Sequence, residues 1–233
     1  MSRLALAFLL ALPGAAAAKD SPTGALRWMA GQSATQLIFQ EVAQLDIAPG
    51  GVIVVDPLTY GPGLDWPFVP VPAGAARFIV ALEPDDSRVS KALLVFSDAE
   101  VSCGHDETSV GVDSGLAAFL DQPRAKALLD ASDALGDGKD IYNDWFSSLP
   151  INAKPVVSDM APLLSGVTFP MMSSGWGDGG YPVASLRDKD GAMVALYVDF
   201  MGKDDDANWL LPPECDGLPV TWLDLRSVSP SPL

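Results

Sequence analysis

Three aspartates stand where a carboxylate could do chemistry: Asp113 in GVDSG (111–115), Asp178 in SSGWGDGGYPV (173–183) and Asp199 in VALYVDF (194–200). Paired carboxylates serve as general acid and base, or hold a divalent cation, when a fold brings them together. Aspartate beside glycine also has a plainer use, capping a turn by accepting backbone N–H groups. Asp199 differs from the other two. Strand alternation puts it on one face with Ala195 and Tyr197, and a carboxylate inside an apolar strand must find a partner. Trp176, between Gly175 and Gly177, is either an aromatic platform on a backbone that approaches a ligand closely or a plug that packs the loop onto the core. With six tryptophans in the chain, the plug is the default. The candidate ligand-binding residues are Trp176, Gly177, Asp178 and Gly179, in a loop whose glycines permit positive φ before a strand begins.

Several familiar chemistries are excluded. A Ser-His-Asp hydrolase would have His105, the only histidine, as its base, but the serine of GVDSG is misplaced for a GxSxG elbow. A phosphate-cradling loop should open a helix, commonly with a lysine, whereas SGWGDGG runs into Tyr181-Pro182 and strand-like residues. Calcium is the metal that an acidic chain rich in oxygen donors would suit. The stretch DALGDGKDIYND (133–144) has Asp133, Asp137, Gly138 and Asp144 at EF-hand spacing, but Leu135 occupies the third position and aspartate the twelfth. It reads better as a helix end and turn, and DKDG (188–191) as a hairpin turn, so no metal or cofactor is assigned.

Charge and cysteine usage narrow the setting. The formal net charge is −16, which disfavours nucleic acid and anionic membranes and is compatible with a basic protein partner. Arg3, the apolar run of residues 4–12 and Ala16-Ala17-Ala18 match a secretory leader cleaved after Ala18, so export to the periplasm or medium is expected. In an oxidising compartment, Cys103 and Cys215 suggest a disulfide tying the tail to the middle of the chain. The alternative is a metal site built from Cys103 and His105, which offers too few ligands for a closed zinc centre.

The elements that must position these residues are mostly strands. GVIVV (51–55), ARFIVAL (76–82), VSKALLVF (89–96), 181–186 and 192–200 carry strand patterns, with EPDDS (83–87) joining a hairpin. Asp190-Gly191 favours a two-residue turn with positive φ. Asp121 followed by Pro123 predicts an N-cap and a helix to about Leu135, ending at Gly136, and residues 141–148 suggest a second short helix. LPVTWLDL (218–225) suggests one more strand. The expectation is a single α+β domain, mainly antiparallel sheet with a helical insert around 121–148, preceded by a lead-in (19–34) and followed by an acidic, proline-rich tail (204–233).

The segments GVIVVDPL (51–58), PFVPVPAG (67–74), RVSKALLVFSD (88–98), VGVDSG (110–115), FLD (119–121), SGWGDGGYPV (174–183) and VALYVDF (194–200), in that order, resemble a bacterial family catalogued as domain of unknown function 4241. The similarity spans roughly residues 35–203, and SGWGDGGYP is its most specific element. The family carries no established activity, so the resemblance implies no mechanism. It directs attention to Asp56, Asp113, Asp121, Trp176, Asp178 and Asp199, which sit in its motifs. Two functions remain open: a binding or interaction protein with an acidic surface, which the lack of a complete catalytic set favours, and a metal-dependent or carboxylate-based hydrolase using Asp113, Asp178 and Asp199.

Overall fold

A computed structural model describes residues 23–63, 67–202 and 208–215. The expected leader and the LPVTWLDL strand lie outside the described residues. Helix α1 (Gly24–Gln32) is followed by strands β1 (Ile38–Ile47), β2 (Val52–Val55), β3 (Gly74–Leu82), β4 (Val89–Val95), β5 (Cys103–Val112) and β6 (Leu116–Asp121). Helix α2 (Gln122–Ala134) and short helical turns between Ile141 and Ala153 come next. Strands β7 (Ser158–Pro162), β8 (Thr168–Ser173), β9 (Gly179–Arg187) and β10 (Met193–Asp199) complete the domain. The fold is α+β with antiparallel sheets, as expected. No helix among the described residues is long and apolar enough to cross a membrane.

Two sheets pack face to face, one ordered β1-β3-β4-β10-β9-β5 and the other β2-β6-β8-β7. The β3–β4 and β9–β10 hairpins lie side by side through β4–β10 pairing. Between the sheets, Phe78, Val80, Leu94, Leu196 and Val198 meet Val52, Val54, Phe119 and Met172. The outer face of the small sheet is covered by Leu128 and Ala131 of α2 with Trp145 and Phe146. The outer face of the large sheet is covered by Ala25 and Met29 of α1 and by Leu210. Strands β2, β4, β6 and β10 are thus buried on both faces, which explains apolar runs without alternation. In β10 the alternation slips once. Val194 and Ala195 both face α1, at the point where the register with β9 shifts.

Helix α2 starts as its sequence predicts. Asp121 is the N-cap and accepts the Arg124 N–H, Pro123 sits in the first turn, and Gly136 beyond the C-terminus has φ +83°. The second short helix is a single π turn, Ile141–Trp145, continued by 3₁₀ turns. The β9–β10 connection corrects the expected two-residue turn. Gly191 alone has positive φ, and the loop closes through Gly191 N–H to the Asp188 carbonyl and Asp188 N–H to the Ala192 carbonyl. Asp190 is spared the left-handed region because Gly191, one residue later, takes it.

The antiparallel registers decide which loops become neighbours. Ile38 pairs with Leu82, Lys91 with Asp199, Val198 with Val183, and Val112 with Gly179. One end of the large sheet therefore collects residues 33–37, the hairpin tip 83–88, the loop 174–178, residues 199–202 and the turn at 113–115.

Candidate functional site

The aspartates of the sequence motifs separate into two groups at this end of the molecule. Asp199 is fully buried, 3.1 Å from the Lys91 ammonium across the β4–β10 ladder. Its carboxylate also accepts the N–H groups of Met201, Gly202 and Leu210, while Lys91 donates to the Gly202 carbonyl and Ser90 Oγ. The partner that a carboxylate in an apolar strand requires is a lysine in an apolar strand. Asp56 is also buried, accepting the N–H groups of Leu58, Asp113 and Ser114 and the Ser114 hydroxyl, so it fixes the turn that carries Asp113. Asp121 accepts Ala48 N–H and the Arg124 guanidinium besides capping α2. These three carboxylates are occupied by structure.

Asp113 and Asp178 form the second group. Both are exposed, and the pairing of Val112 with Gly179 brings them to the same end of neighbouring strands. Asp199 does not join them at the surface. No group of three or more histidine, cysteine or acidic residues among the described residues could hold a metal ion. Cys103 and Cys215 form the disulfide, which disposes of a metal site on Cys103 and His105. The His105 ring nitrogen instead meets Glu214 at 2.9 Å. The disulfide secures a strap, residues 208–215, that also bridges Gly104 to Glu214 and accepts the Tyr197 hydroxyl at the Leu210 carbonyl, and the Ser185 carbonyl together with Pro212 of the strap leaves no room for a Cβ on Gly104. Burial beneath this strap pushes the Tyr197 phenol well above its ordinary range, with the Asp199 charge adding to the effect.

The loop at 174–178 is built to hold Trp176 outward. The Gly177 N–H donates to the Ser174 carbonyl, and the Ser174 and Tyr181 hydroxyls both donate to the Gly177 carbonyl. Gly177 has φ +91°, and a Cβ on Gly175 would come within 2.6 Å of the Val89 carbonyl, so the turn needs both glycines. Burial raises the pKa of the Tyr181 phenol, with the nearby Asp178 charge contributing, so Tyr181 stays a hydrogen-bond donor at neutral pH.

Trp176 is 50% exposed, and the expected core plug is corrected by this position. The Arg88 guanidinium lies 5.0 Å from its ring centroid, and the ring borders a cavity of about 320 Å³. Leaving half of a ~200 Å² side chain in water forgoes about 2–3 kcal/mol at ~25 cal/mol/Å². An exposed cation–π contact returns only about 0.5–1 kcal/mol. The stability of the fold therefore does not explain why the ring points out.

The cavity wall opposite is the β3–β4 tip. Ser87 is the one described non-glycine residue at positive φ, 60°. Its N–H donates to the Glu83 carbonyl, and Asp86 accepts both the Arg88 N–H and Nε. The Arg88 backbone N–H, chiefly, holds the Asp86 carboxyl below the ordinary carboxylate value. Asp86 thus neutralises Arg88 and aims it over Trp176. Glu83 accepts the Thr35 hydroxyl, Asp85 lines the wall, and Ser33 Oγ is shielded from solvent with no hydrogen-bond partner among the described residues. A buried hydroxyl in that state costs about 1–3 kcal/mol.

Comparison with known proteins bears on this end of the molecule. Residues 45–198 match the family described as "Protein of unknown function (DUF4241)". The chain belongs to this family. The matched span holds Asp56, Asp113, Asp121, Trp176 and Asp178, and stops one residue before Asp199. No curated protein and no solved structure matches the chain significantly.

For this family member, sequence reasoning missed Lys91, Arg88, Glu83, Asp85 and Ser33. Lys91 had a usable signal, since a lysine inside VSKALLV demands a buried acid. The others had none, because EPDDS reads as an ordinary polar turn until the register sets it beside Trp176. Also missed was a polar cluster where β5 meets β9, on the face of the large sheet that carries Leu196, in which Ser185 and Arg187 both donate to Glu107.

Proposed function

We propose that this protein is an exported binding protein whose ligand site is the cavity beside Trp176, and that its partner is basic. The observation that carries this reading is the half-exposed Trp176, held outward by a purpose-built turn against a cavity wall with three carboxylates. Gly177 and Gly175 serve the turn, while Asp178 and Gly179 flank the ring on the β9 side. The excess of acidic groups supports a basic partner by long-range attraction, and the leader pattern together with the disulfide supports export.

The alternative, a carboxylate-based hydrolase, now rests on Asp113 and Asp178 alone. What favours it is that both lie just past the Val112–Gly179 pair, at the same end of the β5–β9 ladder.

Titration with polylysine at low salt tests the main reading. Wild-type protein should bind it and lose affinity as salt rises, and Trp176→Ala should weaken binding at least tenfold while remaining folded at the temperature of the titration. Equal binding by the wild type and Trp176→Ala would remove the cavity as the site. Hydrolytic turnover abolished by Asp113→Asn or Asp178→Asn would favour the enzyme instead.

A further inference from the structure

We infer that residues 218–225 (LPVTWLDL) of this chain occupy the open edge of β5, joining the large sheet as a seventh strand parallel to β5, with Leu218, Val220 and Trp222 in the cleft beside Trp209. This segment lies outside the described residues, and what the described residues leave for it carries the assignment. β5 ends the order of the large sheet, with β9 as its only strand partner among the described residues. On its other side a parallel bridge joins Gly104 to Glu214, and the Gly104 N–H donates to the Pro213 carbonyl at 2.9 Å. The Cys103–Cys215 disulfide fastens the chain at that point. The chain therefore arrives at the first residues of β5 already running in the direction of the strand, and continuing forward carries it along 105–112. Residues 218–225 match that stretch in length. In the register of the Gly104–Glu214 bridge, Asp216-Gly217 falls beside the bulge at Glu107, where a glycine lets the chain follow the irregular edge.

This edge needs a cover. Unpaired strand edges recruit other strands, and native sheets guard them with charges, prolines, bulges or covering segments. Asp106 and the bulged Glu107 guard the first half of β5, but residues 108–112 (TSVGV) contain neither charge nor proline. The face beside this edge is equally open. Val110, Val112 and Tyr181 point into the core between the sheets, so Gly111 and its cross-strand partner Gly180 lie on the outer face. Neither glycine has positive φ, and a Cβ on either would meet nothing within 4 Å. The described residues thus do not require glycine at two positions where it weakens a strand. A glycine hollow in a sheet is filled by an aromatic side chain from the neighbouring strand. Gly180 lines a cleft of about 640 Å³ that Ser109, Pro182 and the half-buried Trp209 also border. Leu218, Val220 and Trp222 recur at every second residue, so a strand puts them on one face, and Trp222 supplies the aromatic for the hollow. Pro219, near the start of what becomes the outermost strand, is tolerated there. A second copy of the chain could offer the same strand, but a segment tethered at Cys215 meets the edge at a far higher effective concentration.

The test is residue-resolved hydrogen exchange on the oxidised full chain, with the amides of β4 as the control that each variant is folded. In the wild type, amides within 218–225 and those amides of β5 that do not donate to β9 should exchange at least about tenfold more slowly than in an unstructured chain. Val220→Pro and Thr221→Pro are compared, because successive residues of a strand point their N–H groups to opposite sides and one of the two must remove a donor aimed at β5. That variant should release both sets of amides by about tenfold while β4 stays protected. Gly111→Leu fills the hollow without backbone strain, and it should release 218–225 while the β5–β9 ladder stays intact. Exchange of 218–225 at unstructured rates in the wild type overturns the assignment. So does protection of 218–225 that survives all three substitutions, which would place the segment elsewhere. Protection of β5 that rises with protein concentration while 218–225 exchanges at unstructured rates also overturns it, and makes a second copy the occupant.

Discussion

Asp199 and Asp178 lie at the same end of the large sheet, one closing β10 and the other preceding its neighbour β9, yet their surroundings are opposite. Asp199 is sealed from water, paired with Lys91 and accepting three backbone N–H groups. Asp178 stands in solvent beside a tryptophan that is itself half-exposed. Both sit in segments that the sequence singles out, Asp199 in an apolar strand and Asp178 in a glycine-rich loop. The difference teaches that motif membership does not separate scaffold from site. Scaffold carboxylates are consumed by backbone donors, and the carboxylates of the Trp176 cavity lie where four chain segments meet.

That comparison can be broken or sharpened by mutation, beginning with the largest effect. Asp199→Asn leaves Lys91 buried without its counter-charge and should cost about 3–5 kcal/mol. Its melting temperature should fall by roughly 6–20 °C, at about 2–4 °C per kcal/mol for a chain of this size. Lys91→Met should cost less, since the three backbone N–H donors still hold the Asp199 charge. Urea midpoints in the reverse order would mean that the pair, rather than the backbone cradle, carries the stability.

Next comes the strap. Replacing both Cys103 and Cys215 with serine opens a crosslink between residues 112 positions apart and should cost about 2–5 kcal/mol. Urea unfolding of the oxidised protein beside the double variant measures it. A loss well under 1 kcal/mol would show that the Asp199 and Tyr197 contacts hold the strap unaided.

The opposite region should respond less. Asp178→Asn should shift stability by no more than about 0.5 kcal/mol, as surface changes do. Trp176→Ala gives up the buried half of the ring and should cost about 2 kcal/mol. A cost for Trp176→Ala as large as that of Asp199→Asn would make the ring a structural element after all and erase the contrast.

The smallest effect is in pH dependence at the cavity rim. The Asp86 carboxyl titrates below its ordinary value of 3.8 in the folded protein, mainly because the Arg88 N–H donates to it. A depressed folded value adds stability above the unfolded value and loses it as pH falls through the lower folded one. The stability difference between wild type and Asp86→Asn should therefore be present at neutral pH and vanish under strong acid. An unchanged difference under strong acid would show that Asp86 acts through geometry and not through its charge.

Much of the fold was legible in the residues. GVIVV, ARFIVAL and VSKALLVF announce their strands, and Asp121 with Pro123 announces α2, because these signals are local. Helix α1 and strands β7 and β8 were not, since their stability comes from packing. Pro170 interrupts β8 in sequence but lies beyond the stretch paired with β6, which covers only Met171–Ser173. Of the candidate site, Trp176 and its glycines were visible as a loop, but the direction of the ring was not.

What the sequence by itself determined was therefore the antiparallel α+β character, the family, the cysteine pair and the need of Asp199 for a partner. Each follows from residue type, short-range order or the cost of burying a charge. Only the tertiary structure decided that the partner is Lys91, that Trp176 faces water under Arg88, and that Ser33, Glu83 and Asp85 share its cavity. Those outcomes depend on strand register, which joins residues far apart in the chain and leaves no mark at any one of them.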